Sequence, residues 1–177
     1  MFAEILRYCN YKSNGHEAVA GFSDFKNGES EVYVDGRLID TLPKDYVCDF
    51  HIHNDDLYII YNRAIRRVPN ISGDTLTPDE GYTLEMQDYY SYEYPKMFTD
   101  NQLTLWVHIG GRLFKATSDN GNSDVSWTQI AEFPIGETAA LTADGLLKFS
   151  KNLLRDNDTN GFRTYNPATG EVAEVID

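Results

Sequence analysis

One loop near the end of the sequence carries the residue types that bind a hard cation. Its oxygen-bearing side chains alternate and are followed by a glycine for the tight turn, in the order Asp156, Asp158, Asn160, Gly161. Calcium takes carboxylate and amide oxygens in loops of this kind, which makes it the candidate cofactor. Thr164 and Pro167 stand where an acid would complete the ligand set. The sequence therefore favours the alternative, a solvated hairpin loop rich in turn formers.

A second segment is rich in tyrosine and predicts a contact surface for a partner. Four tyrosines fall within six residues, at Tyr89, Tyr90, Tyr92 and Tyr94. Tyrosine supplies a large rigid contact area with a polar tip, and it is enriched in binding loops and interfaces. The alternative is a connection between two sheets whose rings cover the core, and the sequence leaves both interpretations open.

Asp49, His51 and His53 alternate along the chain, so on a strand they share one face. Such a cluster could hold a metal or exchange protons. The equivalent positions of the repeat described below are occupied by Met97 and Thr99, which are typical of packing residues. We therefore interpret the histidines as a structural pair.

No motif in the sequence predicts an enzyme. The chain lacks a nucleophile elbow, a phosphate-binding loop and an HExxH motif. A sialidase would need an arginine cluster, but Arg63, Arg112 and Arg163 recur near matching hairpins and are interpreted as repeat features. Neither catalytic residues nor any cofactor other than the candidate calcium ion are predicted.

The composition restricts the partners. The 177 residues carry a net charge of −13 and are 41% hydrophobic, which is typical of a folded acidic chain. Acidic chains repel phosphate backbones and anionic bilayers, so direct binding to nucleic acid or membranes is not expected. No apolar run is long enough to span a bilayer, and the first residues do not read as a secretion signal. Cys9 and Cys48 are interpreted as buried thiols rather than a disulfide.

A repeat organises the elements that would position these residues. Three segments share a short apolar stretch, a turn with Asp or Asn, and a leucine that opens the next strand, at Leu57, Leu103 and Leu146. The leucines are 46 and 43 positions apart, which matches the length of one four-stranded propeller blade. Further strands are predicted over residues 81–86, 126–130 and 171–176, and no helix is predicted.

A divergent fourth copy opens the chain, with strands predicted over residues 18–22, 31–34 and 37–39. Residues 2–8 are predicted to form an extra strand that pairs with the last unit and closes a ring, which would remove an exposed edge. The whole chain is then one propeller-like domain of four units, at about 1–44, 45–88, 89–134 and 135–177.

Two segments resemble known propeller blades. Residues 113–121 with 126–130 resemble the Asp-box blade of sialidase-like propellers, although the spacing of Asp119, Gly121 and Trp127 differs from that motif. Residues 164–172 resemble the strand–turn–strand of kelch-like blades. The resemblance and the repeat together predict an all-β fold: a small β-propeller, or a propeller-like array of about four antiparallel four-stranded units.

A fold of this kind hosts many unrelated functions. In its compact size, its acidic charge and its tyrosine-rich segment, the chain resembles accessory proteins of bacteriophage particles. We therefore expect a non-enzymatic structural or interaction protein, attached to a capsid or tail, in the virion or the host cytoplasm, with protein partners. Two alternatives remain open: a glycan-binding lectin, and an acidic inhibitor that occupies a basic nucleic-acid-binding site.

Overall fold

The computed structural model describes residues 6–24, 26, 28–43, 47–61, 64–79, 83–85, 96–109, 112–118, 125–132, 138–150 and 161–176. Sixteen strands in these residues form four antiparallel sheets of four, and consecutive strands are neighbours in each sheet. These residues contain no helix, and so none with the length and hydropathy to cross a membrane. The predicted all-β fold of four antiparallel four-stranded units is confirmed.

Residues 1–88 form one compact unit with two sheets. The first sheet consists of β1 (Leu6–Ser13), β2 (His16–Asp24), β3 (Glu29–Val34) and β4 (Arg37–Pro43). The second sheet consists of β5 (Val47–His53), β6 (Asp56–Tyr61), β7 (Ala64–Val68) and β8 (Leu84–Glu85).

Residues 89–177 form a second compact unit, again with two sheets. The third sheet consists of β9 (Lys96–Thr99), β10 (Leu105–Ile109), β11 (Arg112–Ser118) and β12 (Val125–Glu132). The fourth sheet consists of β13 (Thr138–Leu141), β14 (Leu147–Ser150), β15 (Gly161–Tyr165) and β16 (Val172–Ile176).

The core of the first unit lies between its two sheets. Residues of β3 alternate between half-buried and buried, whereas β6 is buried on both faces from Leu57 to Tyr61. One apolar cluster joins them, with Ala18, Val32 and Val34 from the first sheet packed with Phe50 and Ile59 from the second. Each sheet therefore shields an apolar face of the other from water.

The core of the second unit follows the same plan. Phe98, Trp106 and Leu113 of the third sheet pack against Leu147 and Phe149 of the fourth. The indole N–H of Trp106 is buried in this core, and it donates to Asp100 Oδ2 at 2.8 Å. The other oxygen of Asp100 accepts the backbone amides of residues 102 and 104, so the buried carboxylate is fully used.

The leucine positions of the repeat are corrected by the structure. Leu103 does not open a strand: it lies in a turn, is 69% exposed and has a φ of 62°. The amide of Leu103 donates to the carbonyl of Asp100, as the amide of Gly145 donates to Thr142, so Leu103 is equivalent to Gly145. The buried leucine at the start of the second strand of each sheet, or next to it, is Leu57 in the second sheet, Leu105 in the third and Leu147 in the fourth.

The predicted closing strand is also corrected. Residues 6–8 begin β1, which pairs with β2 inside the first sheet rather than with the last unit. The phenol of Tyr8 donates to Ser30 Oγ and accepts the amide of Val47, so β1 contacts both β3 and β5. Residues 2–5 lie outside the described residues.

We predict opposite effects for the two leucines of the third sheet. Leu105→Ala should lower the free energy of unfolding by about 2–4 kcal/mol because it empties a buried site. Leu103→Gly should leave it unchanged or raise it by up to about 1 kcal/mol, because glycine relieves the left-handed backbone. Both tryptophans belong to this unit, so urea denaturation followed by tryptophan fluorescence measures it. Equal losses in the two variants would contradict the corrected repeat.

We also predict that acid destabilises the second unit through His108. This side chain is 2% exposed and lies edge-on to Phe149, with 5.2 Å between ring centroids. Burial lowers the pKa of His108 to about 4, so its contribution to stability is present above pH 6.5 and is lost as the pH falls toward 4. The loss at pH 5 should be about 2 kcal/mol. His108→Phe should remove this part of the pH dependence, and an unchanged profile in that variant would contradict the assignment.

Candidate functional site

The residues that the sequence singled out for binding lie outside the described part of the chain. These are Tyr89, Tyr90, Tyr92 and Tyr94 for the partner surface, and Asp156, Asp158 and Asn160 for calcium. Both assignments stay predictions. Among the described residues, no group of three or more histidine, cysteine or acidic side chains is arranged to hold a metal ion.

The structure assembles a polar cluster that the sequence did not indicate, on the hairpin turns of the first unit. The cluster consists of His16, Asp35, Asp55 and Ser72. His16 Nδ1 lies 2.8 Å from Asp35 Oδ2, and its Nε2 lies 3.4 Å from Ser72 Oγ and 3.6 Å from Asp55 Oδ1. Ser72 Oγ donates to Asp55 Oδ1 at 2.6 Å. Two carboxylates, an imidazole and a hydroxyl thus form one network.

Tight turns bring these four residues together. Asn14-Gly15 and Asp35-Gly36 connect the strands of the first sheet, and all four residues have positive φ, from 48° to 82°. Two-residue hairpins need this conformation, which Asn, Asp and Gly tolerate best. Asn54 and Asp55 make the corresponding turn in the second sheet, with φ of 49° and 65°. The carboxylates of the cluster therefore sit on turn residues whose backbone conformation suits aspartate.

The electrostatics of the cluster favour an ionised Asp35. Burial alone would raise its pKa, but hydrogen bonds from His16 and from the amide of Glu17 outweigh burial, and the charges of His16 and Arg37 add to them. The pKa of Asp35 is therefore below its usual value. The carboxylate remains available to orient the imidazole at neutral pH.

The order carboxylate, imidazole, hydroxyl is also the order of groups that activates a serine nucleophile. Two features of the cluster oppose that chemistry. The proton of Ser72 is directed to Asp55 rather than to His16, which places a second negative charge beside the oxygen that would attack. The nearby amides are also in use, since Ile71 donates to the carbonyl of Asp55 and Gly73 to that of Asn70. An oxyanion would need such donors.

The same contacts make the cluster a clamp between the two sheets of the unit. His16 and Asp35 belong to the first sheet and its turns, whereas Asp55 and Ser72 belong to the second sheet and its connection. Arg37 adds a second link, donating to the carbonyls of residues 71 and 73 at 2.7 Å each. An ion pair between Arg66 and Asp40, at 2.5 Å, adds a third.

A buried arginine stabilises the second sheet from within. Arg67 is 4% exposed, its Nε lies 2.8 Å from Asp79 Oδ2, and its Nη1 lies 3.9 Å from Asp56 Oδ2. Tyr58 lies beside it, and burial, with the charge of Asp56, raises the pKa of Tyr58 to about 12. The charge of Arg67 is therefore compensated inside the sheet, as a buried charge requires.

The interpretation of the histidines on β5 as a structural pair stays a prediction, and the structure gives their surroundings. Burial, with the charge of His53, lowers the pKa of His51 to about 4, so that its ring is neutral at physiological pH. The ring lies 6.3 Å from that of Tyr11. His53 Nε2 contacts Asn54 Nδ2 at 3.0 Å.

The arginines of the hairpins form cross-strand ion pairs. Arg112 faces Glu132 across β11 and β12, and Arg163 faces Glu174 across β15 and β16. The two arginines are not at equivalent positions, because Arg112 pairs with Ile109 of β10, whereas Arg163 pairs with Phe149 of β14, which corresponds to Val107. Their interpretation as features of the repeat stays a prediction. Arg63 lies outside the described residues.

Comparisons with solved structures place this architecture among propeller-like proteins. The chain is similar to virginiamycin B lyase from Staphylococcus aureus, with a TM-score of 0.56 and 16% identity over 96% of this chain and 55% of that one. It is also similar to two structures of the extracellular domain of BT4673 from B. thetaiotaomicron. Their TM-scores are 0.55 and 0.56, with 11% and 14% identity over 95% of this chain.

These likenesses concern the fold alone. The chain spans about half the length of virginiamycin B lyase and 22% and 24% of the two BT4673 chains. No protein-family model matches the chain, and no curated protein sequence does. The more specific resemblance to Asp-box and kelch-like blades stays a prediction.

We predict that His16 and Asp35 are energetically coupled. A double-mutant cycle of His16→Asn and Asp35→Asn, measured by urea denaturation with circular dichroism, should give a coupling of about 0.5–1.5 kcal/mol at pH 7. The expected coupling energy is modest because the side chains of His16 and Asp35 are 19% and 33% exposed, so that solvent screens their interaction. The coupling should weaken as the pH is lowered and Asp35 becomes protonated. Additive losses at pH 7 would contradict the clamp.

Proposed function

We propose that this chain is a non-enzymatic interaction module that works inside a larger protein assembly. The observation that supports it best is the use of the polar cluster: His16 joins the two sheets through Asp35, Ser72 and Asp55, and the amides beside Ser72 are already hydrogen-bonded. The outer strands meanwhile present apolar side chains to solvent, with Val172 50% and Ile130 40% exposed. Exposed apolar side chains on a rigid scaffold suit protein contacts.

The finer part of the proposal is the kind of assembly. The chain resembles accessory proteins of bacteriophage particles in its size, its net charge of −13 and its tyrosine-rich segment at residues 89–94. This part rests on composition, and we propose attachment to a capsid or tail on that basis. The lyase activity in the name of one structural neighbour belongs to that protein. Because the hydroxyl of Ser72 donates to Asp55, we do not propose that this chain is an enzyme.

Sedimentation and ester hydrolysis test the proposal. Tagged chain expressed in its source cells should sediment well ahead of its own 20.1 kDa, with a partner protein at fixed stoichiometry. If the finer proposal holds, it should co-sediment with purified particles. The purified chain should hydrolyse nitrophenyl esters no faster than Ser72→Ala does.

A chain that sediments alone, or an ester hydrolysis that Ser72→Ala abolishes, would contradict the proposal. A glycan array separates the module from a lectin, since saturable glycan binding would favour the lectin. Capture of a basic nucleic-acid-binding protein that high salt releases would favour the inhibitor.

A further inference from the structure

Among the edge strands that the structure describes, β12 differs from all the others. It is eight residues long, and residues 125–131 carry no charge and no proline. Three of the other edge strands carry charged residues: Arg7 and Lys12 in β1, Arg37 and Asp40 in β4, and Asp49 in β5. Strand β4 also ends at Pro43. The remaining edge strands, β8, β9, β13 and β16, are no longer than five residues.

The edge of β12 is regular along most of its length. Residues 125–129 pair one to one with residues 118–114 of β11, and a bulge follows at Ile130. In the described residues β12 has β11 as a neighbour on one side and no strand on the other. Every second backbone N–H and C=O of an edge strand points away from its neighbour, so this strand offers a ladder of donors and acceptors.

The side chains of β12 leave that ladder accessible. Ser126, Thr128, Gln129 and Ile130 are exposed. Trp127 is half-buried, and its Nε1–H is shielded from solvent without a hydrogen-bond acceptor in the described part of the chain. Tryptophan N–H groups usually have an acceptor when they are buried, so a second strand beside β12 could complete the environment of this ring.

Charge distinguishes between two occupants of the edge. Acids flank the neutral segment in the sequence, Asp124 before it and Glu132 at its end. A second copy would bring the same net charge of −13 and the same acidic end at Glu132 to the edge, so like charges oppose its approach. Glu132 also has an exposed contact with Arg112 at 3.5 Å, which is too weak to neutralise the end of the strand.

We infer that β12 is a strand-addition site for an extended segment of a partner protein, neutral over about seven residues and carrying Lys or Arg at both ends. The partner strand gains main-chain hydrogen bonds along residues 125–129, and its basic residues are attracted to Glu132 at the end of β12 and to the acidic chain as a whole. The net charge of −13 draws such a segment toward the chain. This inference rests on the proposed interaction function and names the surface and the partner chemistry.

The test uses the full chain and a nine-residue peptide, Lys-Thr-Val-Thr-Val-Thr-Val-Thr-Lys, which has a lysine at each end of a neutral seven-residue segment. Fluorescence anisotropy of the labelled peptide should show saturable binding below 100 µM, and the same peptide with glutamate ends should not bind. Thr128→Lys should weaken binding at least tenfold, because it places a charge on the edge. The matched control Thr41→Lys, on exposed β4, should change it less than threefold.

A second arm leaves the protein unaltered. N-methylation of alternate peptide amides removes the donors of one edge of the added strand, so one methylation phase should abolish binding and the other should preserve it. Absence of binding, equal effects of Thr128→Lys and Thr41→Lys, or equal effects of the two phases would overturn the inference. So would a dimer of the free chain that Thr128→Lys dissociates, because the occupant would then be a second copy.

The outcome is separable from that of the proposed function. If Thr128→Lys still joins its assembly with full stoichiometry, β12 is not the contact, while the interaction function stands. If the native chain sediments alone, the interaction function fails regardless of what the peptide does.

Discussion

A four-stranded sheet cannot stand alone in water when one of its faces is apolar, and this constraint organises both units. In the first unit β2 and β3 supply Ala18, Val32 and Val34, and the second sheet covers them. In the second unit Trp106 and Phe149 meet between the sheets. Polar groups buried within the two units are paired, as Arg67 is with Asp79 and Asp100 with Trp106. The middle strands carry the burial, and the outer strands remain available for contacts.

The repeat was predictable from the sequence because turn formers and apolar runs recur at a blade-like spacing. The sequence did not, however, predict which leucine of each repeat is buried at the start of its strand. Leu103 and Leu105 are two positions apart, so alternation places them on the same face of any strand, and only the turn decides which one is buried. The turn is a two-residue hairpin in the second sheet but spans residues 100–104 in the third, where the carboxylate of Asp100 caps it. Strand β1 was predicted only at its start, over residues 6–8, because residues 10–13 are mostly polar and half-buried or exposed.

The polar cluster could not be predicted in the same way. His16, Asp35, Asp55 and Ser72 come from separate turns, and single turn residues of these types are common in loops. Three-dimensional packing of two sheets brings them within hydrogen-bonding distance. The edge of β12, in contrast, has a signal in the sequence: seven consecutive uncharged residues flanked by acids, in a chain of which 24% of residues are charged. Composition pointed to tyrosines as the contact residues, whereas the structure directs attention to a backbone edge.

In the part of the chain that the structure describes, buried middle strands support outer strands that have a neighbouring strand on one side only. Residue-by-residue amide hydrogen exchange, measured by NMR on the intact chain, tests it directly. We expect the slowest exchange in β6, β10 and β14, and an alternation of slow and fast amides along residues 125–129 of β12. Uniformly slow exchange along β12 would mean that both of its sides are paired, and fast exchange in β6 or β10 would mean that the sheets do not shield one another. Either result would contradict the account.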